Sequence, residues 1–268
     1  MTVLESPANW PLGAPFVVCV ALVVLYALGG RGRPRDKRWR VVAFYSGVAT
    51  IVIALDTPID AYADRLFWVH MVQHVLLLTV APPLLVLGRP WPRMWQPLPV
   101  SVRRGAARVF VFGAPLARPF VALVLMSATI ALWHVPLFWD AALRNGYVHQ
   151  LEHLTFVVTS ILFWAPVLGT PPLRARLDGA VRCVYLVAAL VPGWILSMVL
   201  AFSPNPIYAY AQLGHRPGGL SAIADQQLAA GVMWVPGSLV YVVAACWALY
   251  VWLDPSPARH QNRPAVQH

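Results

Sequence analysis

Seven long apolar stretches constrain the fold of this chain more than any other feature of its sequence. A helix of about 20 apolar residues crosses the roughly 30 Å hydrocarbon core of a bilayer, and most of these stretches approach or exceed that length. The chain is 59% hydrophobic and only 11% charged, with a mean hydropathy of +0.63, which excludes a disordered chain and argues against a soluble enzyme. We therefore predict an all-α polytopic membrane protein that forms one integral membrane domain. Its seven transmembrane helices are expected at residues 14–30, 41–55, 66–88, 119–142, 149–169, 181–202 and 226–253.

The basic residues give the predicted helices an orientation. The chain carries 20 Lys and Arg against 10 Asp and Glu, and seventeen of those 20 basic residues fall in alternate connections and in the tail. Because basic loops stay on the cytoplasmic side, we predict the N-terminus outside, a short cytoplasmic tail at residues 254–268, and an uncleaved first helix. The net charge of +10 then indicates contact with anionic lipid at the inner face, and no binding of nucleic acid.

Five histidines gather at the predicted outer ends of three apolar stretches. His70 and His74 form one pair in the string H-M-V-Q-H, His149 and His153 form a second in H-Q-L-E-H, and His134 lies in W-H-V-P. Residues four apart lie on one face of a helix, so each pair presents two imidazoles on the same side. Polar side chains at this depth are costly and usually functional, and imidazole is a good ligand for Cu, Zn, Fe and Ni. The pattern predicts a metal site; its alternative is a hydrogen-bonded cluster that only packs helices together.

Other polar and sulfur-bearing side chains are predicted near the same end of the helices. Three carboxylates are candidates to orient ligating imidazoles by accepting a hydrogen bond from the ring nitrogen that does not bind the metal: Glu152, Asp225 and Asp60. Asp225 is equally suited to accept hydrogen bonds from the first free N–H groups of its own helix, as an N-cap. Three thioethers are candidate soft ligands for Cu(I), although methionines in membrane helices commonly serve packing alone: Met71, Met198 and Met233.

Enzyme signatures find little support in this sequence. The string H-Q-L-E-H matches the H-x-x-E-H pattern of zinc peptidases, with Glu152 as the base. Such a site often needs a third, acidic ligand; Glu5 is the only other glutamate, so Asp225 would have to serve. A membrane di-iron oxygenase would use adjacent histidines, which the sequence lacks. The P-loop, the dinucleotide-binding glycine pattern and the serine nucleophile elbow are absent as well, so we expect no enzymatic activity.

Several of these motifs together resemble a known family. H-M-V-Q-H followed by A-P-P-L-L-V-L-G-R-P, then W-H-V-P, H-Q-L-E-H, F-W-A-P and D-Q-Q-L-A-A-G-V-M-W-V-P, is similar to the seven-span CtaG-like cytochrome c oxidase assembly proteins over roughly residues 56–236. One departure is Ala229, Ala230 and Gly231, where the family pattern has Gly-Gly after D-Q-Q-L. The resemblance implies a role in assembling haem–copper oxidases, at the copper delivery step. The single-span copper chaperone that shares the name CtaG in other bacteria is a different protein.

The residues and the resemblance together lead to one hypothesis. A copper ion is expected at the outer face, bound by His70, His74, His149 and His153, with His134 as a fifth ligand. The protein would lie in a bacterial inner (plasma) membrane, and would work with cytochrome c oxidase subunits or another copper chaperone. Zinc is the alternative ion. The alternative functions are haem binding through one histidine of each pair, and a metal-free scaffold for oxidase subunits.

Overall fold

The computed structural model describes residues 13–31, 37–169, 177–212 and 219–254, and their regular structure is entirely helical. Most of the predicted tail, together with Glu5, Arg174, Arg176 and Arg216, lies outside the described residues. The helices are α1 Ala14–Leu28, α2 Arg38–Leu55, α3 Pro58–Ala63, α4 Phe67–Val75, α5 Ala81–Leu87, α6 Pro90–Met94, α7 Val100–Gly113, α8 Pro119–Trp133, α9 Pro136–Arg144, α10 Gly146–Leu168, α11 Gly179–Ala188, α12 Leu190–Phe202 and α13 Ala222–Leu253.

Several helices are suited to cross a membrane. Five helical stretches are long and apolar enough to cross a bilayer. Val100–Ala117 and Pro119–Trp133 meet at a bend of 86° and add a sixth span if they form one broken span. α1 is apolar but has only 15 residues. The protein is therefore a multi-pass helical membrane protein, whereas seven spans and the orientation of the termini stay predictions. The five helical stretches are Arg38–Leu55, Phe67–Leu87, Gly146–Leu168, Gly179–Phe202 and Ala222–Leu253.

The predicted fourth span, residues 119–142, is broken before Pro136, one of the prolines expected to kink the spans. α8 ends at Trp133, and the chain resumes a helical course only at Pro136. Proline has no N–H to donate and restricts the residue before it, and Val135 accordingly takes an extended conformation (φ −68°, ψ 130°). The short helix α9 that follows carries Trp139 onto the histidine rings.

The stretch Phe67–Leu87 lies at the centre of the bundle, and 72% of an 18-residue apolar segment within it is buried. Its α4 part packs against α13, and its α5 part packs against α2 and α10. The two parts are joined by a π-helical turn, Leu76–Val80, directly after His74. Pro82 and Pro83 follow that turn and supply no N–H to the carbonyls four residues earlier, which accounts for the widened turn.

Three helices begin at one end of the bundle and are held there by different caps. α10 starts after Asn145, whose side chain accepts the N–H groups of Tyr147 (2.9 Å) and Val148 (3.4 Å). α13 starts after Ser221, whose hydroxyl accepts the N–H of Ala224. Asp225 is therefore not the cap of its own helix, as one interpretation of the sequence had it.

The carboxylate of Asp225 instead reaches across to α4. Its two oxygens accept the N–H groups of Phe67 (3.0 Å) and Trp68 (2.9 Å), the first two residues of that helix. Backbone N–H groups at a helix start have no partner within the helix, and they carry the positive end of its dipole. Asp225 thus fixes α13 to the beginning of the helix that carries His70 and His74.

Candidate metal centre

Four of the five predicted histidines come together between α4 and the first two turns of α10. The ring centroids of His70 and His149 lie 5.1 Å apart, and those of His74 and His153 lie 5.6 Å apart. Within the two pairs, the ring centroids are 4.3 Å apart for His70 and His74 and 4.2 Å for His149 and His153. The i, i+4 pairs therefore face each other across the contact between the two helices.

Glu152 takes part in this cluster directly. It is only 1% exposed, and its Oε1 lies 3.5 Å from Nε2 of His74. Two sets of three side chains place one ligand atom each within 4.8 Å of one another: His70, His74 and His153, and His70, His149 and Glu152. The carboxylate that was predicted to orient a histidine thus lies as close to the imidazole nitrogens of His70 and His149 as those nitrogens lie to each other, within 4.8 Å. We call these five residues the histidine–glutamate group.

The tautomer of His70 is set by Tyr210. Burial raises the pKa of Tyr210 well above its usual value, so the hydroxyl keeps its proton, which it donates to the carbonyl of Ala63. Nδ1 of His70, 2.9 Å from that hydroxyl, must then be the donor of their hydrogen bond. Nε2 of His70 consequently carries the lone pair. No spacing in the sequence points to Tyr210, because it lies in the segment between α12 and α13.

The same reasoning extends to His74. Nε2 of His74 lies 2.8 Å from Nε2 of His70, and since the latter has no proton, His74 is the donor. The lone pair of His74 is then on Nδ1, which is buried and finds no hydrogen-bond partner among the described residues. A metal ion held by both of these Nε2 atoms would require His74 to give up its Nε2 proton, so that both imidazoles could offer a lone pair.

Several buried polar atoms of the group have no hydrogen-bond partner among the described residues. Leaving such an atom unpaired costs about 1–3 kcal/mol, so natural proteins rarely tolerate several together. A cation bound among these nitrogen and carboxylate atoms would satisfy them, so the donor set fits a metal ion. The atoms are Nε2 of His149, Nε2 of His153, and Oε1 and Oε2 of Glu152.

His134 lies at the edge of this cluster. Its ring centroid is 5.9 Å from that of His74, and it belongs to neither set of three. Nδ1 of His134 donates to the carbonyl of Ile130 at 2.7 Å, so Nε2 carries the lone pair and is without a partner in the described structure.

Aromatic side chains enclose the cluster. The buried indole of Trp139 lies 4.8 Å from the ring of His70 and 5.2 Å from that of His134, and it stacks on Tyr208 at 4.6 Å. Phe156 packs against His74 at 4.8 Å. The break before α9 places Trp139 here, and the sequence pattern gave no sign of it.

The remaining predicted carboxylates act elsewhere. Asp225 caps α4, as described above. Asp60 accepts a hydrogen bond of 2.8 Å from Nε2 of Gln73, which also donates to the carbonyl of Ala54. Burial raises the pKa of Asp60 to about 6, against the lowering effect of the Gln73 hydrogen bond. Asp60 therefore helps hold α3 against α4, rather than touching an imidazole.

A cavity of about 620 Å³ leads from the surface to the cluster. His149 is only partly buried and forms part of its wall, together with Asp64 and Arg144. His149 also stacks on His70, so this surface cavity gives the histidine–glutamate group a route to the outside of the bundle. Asp64 places a carboxylate at the wall of that route.

Two of the three predicted methionines share a second, smaller cavity. Met71 and Met233 line a cavity of about 60 Å³ together with His74 and His134. Met198 is not among the described residues that line it.

Fold and site define a polytopic helical membrane protein with a buried cluster of histidine nitrogens and carboxylate oxygens. The chain belongs to the Caa3_CtaG family of cytochrome c oxidase caa3 assembly factors, whose sequence profile matches residues 20–254. The resemblance noted in the sequence is thereby confirmed.

Mycobacterial proteins are among its relatives. The chain is 29% identical to an uncharacterized protein of Mycobacterium bovis over 266 residues, which cover 92% of this chain and 40% of that protein. A Mycobacterium tuberculosis protein matches equally well, and one from Mycobacterium leprae is 23% identical over 259 residues, 88% of this chain and 37% of that protein. The chain thus spans about 40% of the length of these relatives. No solved structure matches it.

Proposed function

We propose that this protein supplies copper to a maturing caa3-type oxidase and holds the ion at the histidine–glutamate group. The observation that supports this most is the convergence of two sets of three ligands on His70, with unpaired buried nitrogen and carboxylate atoms around it. The family to which the chain belongs assembles this class of oxidase. Passing an ion to a partner requires a site that can be reached from outside, and it involves no chemical conversion of a substrate. We therefore propose a non-catalytic role.

The donor set favours a divalent ion. It consists of imidazole nitrogens and one carboxylate, a combination that suits Cu(II) and also Zn(II), whereas Cu(I) is selected by sulfur ligands. A haem is less well accommodated, since Trp139 and Phe156 already fill the space against the histidine rings. We therefore propose Cu(II) as the ion of this group, with zinc as its competitor.

The membrane setting completes the proposal. We place the protein in the bacterial inner (plasma) membrane with seven spans, the N-terminus outside and the C-terminus in the cytoplasm, on the charge distribution of the sequence. The surface cavity then opens to the outer side. There the ion would arrive from another copper chaperone and leave toward an oxidase subunit.

Metal analysis of the purified protein tests the site. After incubation with Cu(II) and removal of free ion, wild-type protein is expected to retain copper. His153→Gln and Glu152→Gln are expected to weaken binding by roughly 10- to 100-fold, as is usual when a metal site is damaged. His134→Gln is the matched control, because His134 lies in neither set of three. Equal and negligible copper in wild type and variants would refute the proposal, and a Soret band in the purified protein would indicate haem instead.

Complementation separates copper delivery from a metal-free scaffold. In cells that lack this protein, His153→Gln is expected to give low caa3-type oxidase activity that added copper partly restores. A scaffold that works through packing alone would support full oxidase assembly with His70, His74, His149 and His153 all changed to Gln. That result would exclude the delivery role.

A further inference from the structure

The second cavity combines two imidazole lone pairs with two thioethers. Four of the residues that line it are Met71 and His74 from α4, His134 from the end of α8, and Met233 from α13. These four side chains come from three helical segments that meet at the cavity. The rest of the cavity wall is largely apolar.

Each of the two imidazoles that line this cavity has a nitrogen without a hydrogen-bond partner among the described residues. His134 is 6% exposed, and its Nδ1 proton is committed to Ile130, which leaves Nε2 as an unpartnered acceptor. His74 is 2% exposed, and the hydrogen bond from its Nε2 to His70 leaves Nδ1 as a second one. Two buried acceptors without donors among the described residues are a costly arrangement that a bound cation would relieve.

The size of the cavity restricts its occupant. Its volume of about 60 Å³ exceeds the roughly 10–15 Å³ that a single water needs on this measure, and it is far below the roughly 300 Å³ of a small-molecule pocket. An ion fits, and an organic cofactor does not. Carboxylates are not among the described lining residues, so the site offers only neutral ligands.

We propose that this cavity is a second metal site, specific for a soft monovalent cation such as Cu(I). Thioether ligands select Cu(I), imidazole also binds copper, and a single positive charge is the least costly to hold among neutral groups. The site is distinct from the histidine–glutamate group, whose carboxylate and three further histidines do not line this cavity.

His74 belongs to both sites and connects them. A neutral imidazole has one lone pair, so His74 serves the histidine–glutamate group through Nε2 or the second cavity through Nδ1, but not both at once. The two sites are therefore alternatives at this residue, and occupation of one weakens the other. This point depends on the proposed function, whereas the soft site itself does not.

Silver(I) tests the soft site, because it shares the preferences of Cu(I) and is stable in air. The measurement is equilibrium binding of Ag(I) to purified protein in detergent, with bound silver determined by mass spectrometry. All variants carry Cys19→Ala, Cys183→Ala and Cys246→Ala, because the free thiols would otherwise bind silver.

The decisive variants are methionine-to-leucine changes, which keep nearly the same volume. Met71→Leu/Met233→Leu is expected to weaken Ag(I) binding by roughly 10- to 100-fold, at least as much as damage around a metal site usually does. Met198→Leu is the matched control and is expected to bind like the parent. X-ray absorption of the silver-loaded protein is expected to show sulfur neighbours in the parent and the control, and to lose them in the double variant.

Divalent binding separates this proposal from the previous one. His153→Gln is expected to lose Cu(II) and keep Ag(I), while the methionine double variant is expected to keep Cu(II), which also shows that it is folded. Undiminished Ag(I) binding in the double variant, or silver without sulfur neighbours in the parent, overturns the soft site. A parent protein that binds Ag(I) with sulfur neighbours but binds no Cu(II) would refute only the proposed function and leave the soft site standing.

Discussion

Removing the carboxylate of Asp225 is expected to loosen the first turn of α4, the helix that carries His70 and His74. Asp225 is 1% exposed and accepts two N–H groups at the start of α4, at 3.0 and 2.9 Å. Hydrogen bonds to a charged group contribute about 1.5–3 kcal/mol each, and loss of a helix cap costs about 0.5–2 kcal/mol. Because the two effects overlap, we expect Asp225→Ala to lower the free energy of unfolding by about 2–4 kcal/mol.

The asparagine variant divides this loss. Asp225→Asn keeps one acceptor oxygen but loses the charge at the helix start, so about 1–2 kcal/mol is expected to disappear. Both variants are also expected to weaken Cu(II) binding, since His70 is on the first turn of α4 and moves when that turn frays.

The assay is reversible unfolding of the purified protein by SDS in mixed micelles, followed by circular dichroism. Gln227→Ala is the control, because Gln227 is an exposed neighbour on the same helix. An unfolding free energy for Asp225→Ala within about 0.5 kcal/mol of wild type would refute the reasoning. So would an asparagine variant less stable than the alanine variant.

Three further predictions concern the surroundings of the site. Asp64→Asn is expected to slow Cu(II) uptake through the surface cavity, measured by stopped flow, and to leave the amount bound at equilibrium unchanged. Burial raises the pKa of Asp60 to about 6, so its buried neutral form stabilises the fold at low pH and that contribution is lost as pH rises from about 4 through 6. Asp60→Asn is expected to flatten the unfolding free energy over that window, and an unchanged slope would contradict this. Gly88→Ala would bring a new Cβ to 2.6 Å from Cβ of Phe44, so we expect the free energy of unfolding to fall by about 1–3 kcal/mol. Gly105→Ala is the control and is expected to be tolerated, because its new Cβ would have nothing within 4 Å. Equal stability of the two variants would argue against this packing.

Local spacing was sufficient to predict each histidine pair. His70 and His74, like His149 and His153, lie one turn apart on a helix, and that relation follows from helix geometry alone. The helices themselves follow from apolar length in the same way, and the family resemblance was confirmed along most of the chain. The break before Pro136 also has a local cause, because a proline restricts the residue before it.

Relations between helices could not be obtained from spacing. Glu152 was predicted to orient a ligating histidine, and its carboxylate lies within 4.8 Å of candidate ligand nitrogens of His70 and His149. His134 was predicted as a fifth ligand and lies outside both sets of three, beside the second cavity with Met71 and Met233. These outcomes depend on which faces of α4, α8, α10 and α13 meet, and many long-range contacts decide that together.

The sequence by itself determined that this chain is a helical membrane protein with paired histidines near helix ends, because apolar length and helical period are local properties. Tertiary structure alone decided which other side chains contact the histidine pairs and the helices that carry them. Asp225 reaches α4 from α13, and Tyr210 sets the tautomer of His70 from a segment 140 residues away. Hydrogen bonds and ligand sets act over a few ångströms in space, whatever the separation along the chain, so packing brought these groups together and no sequence interval marked them.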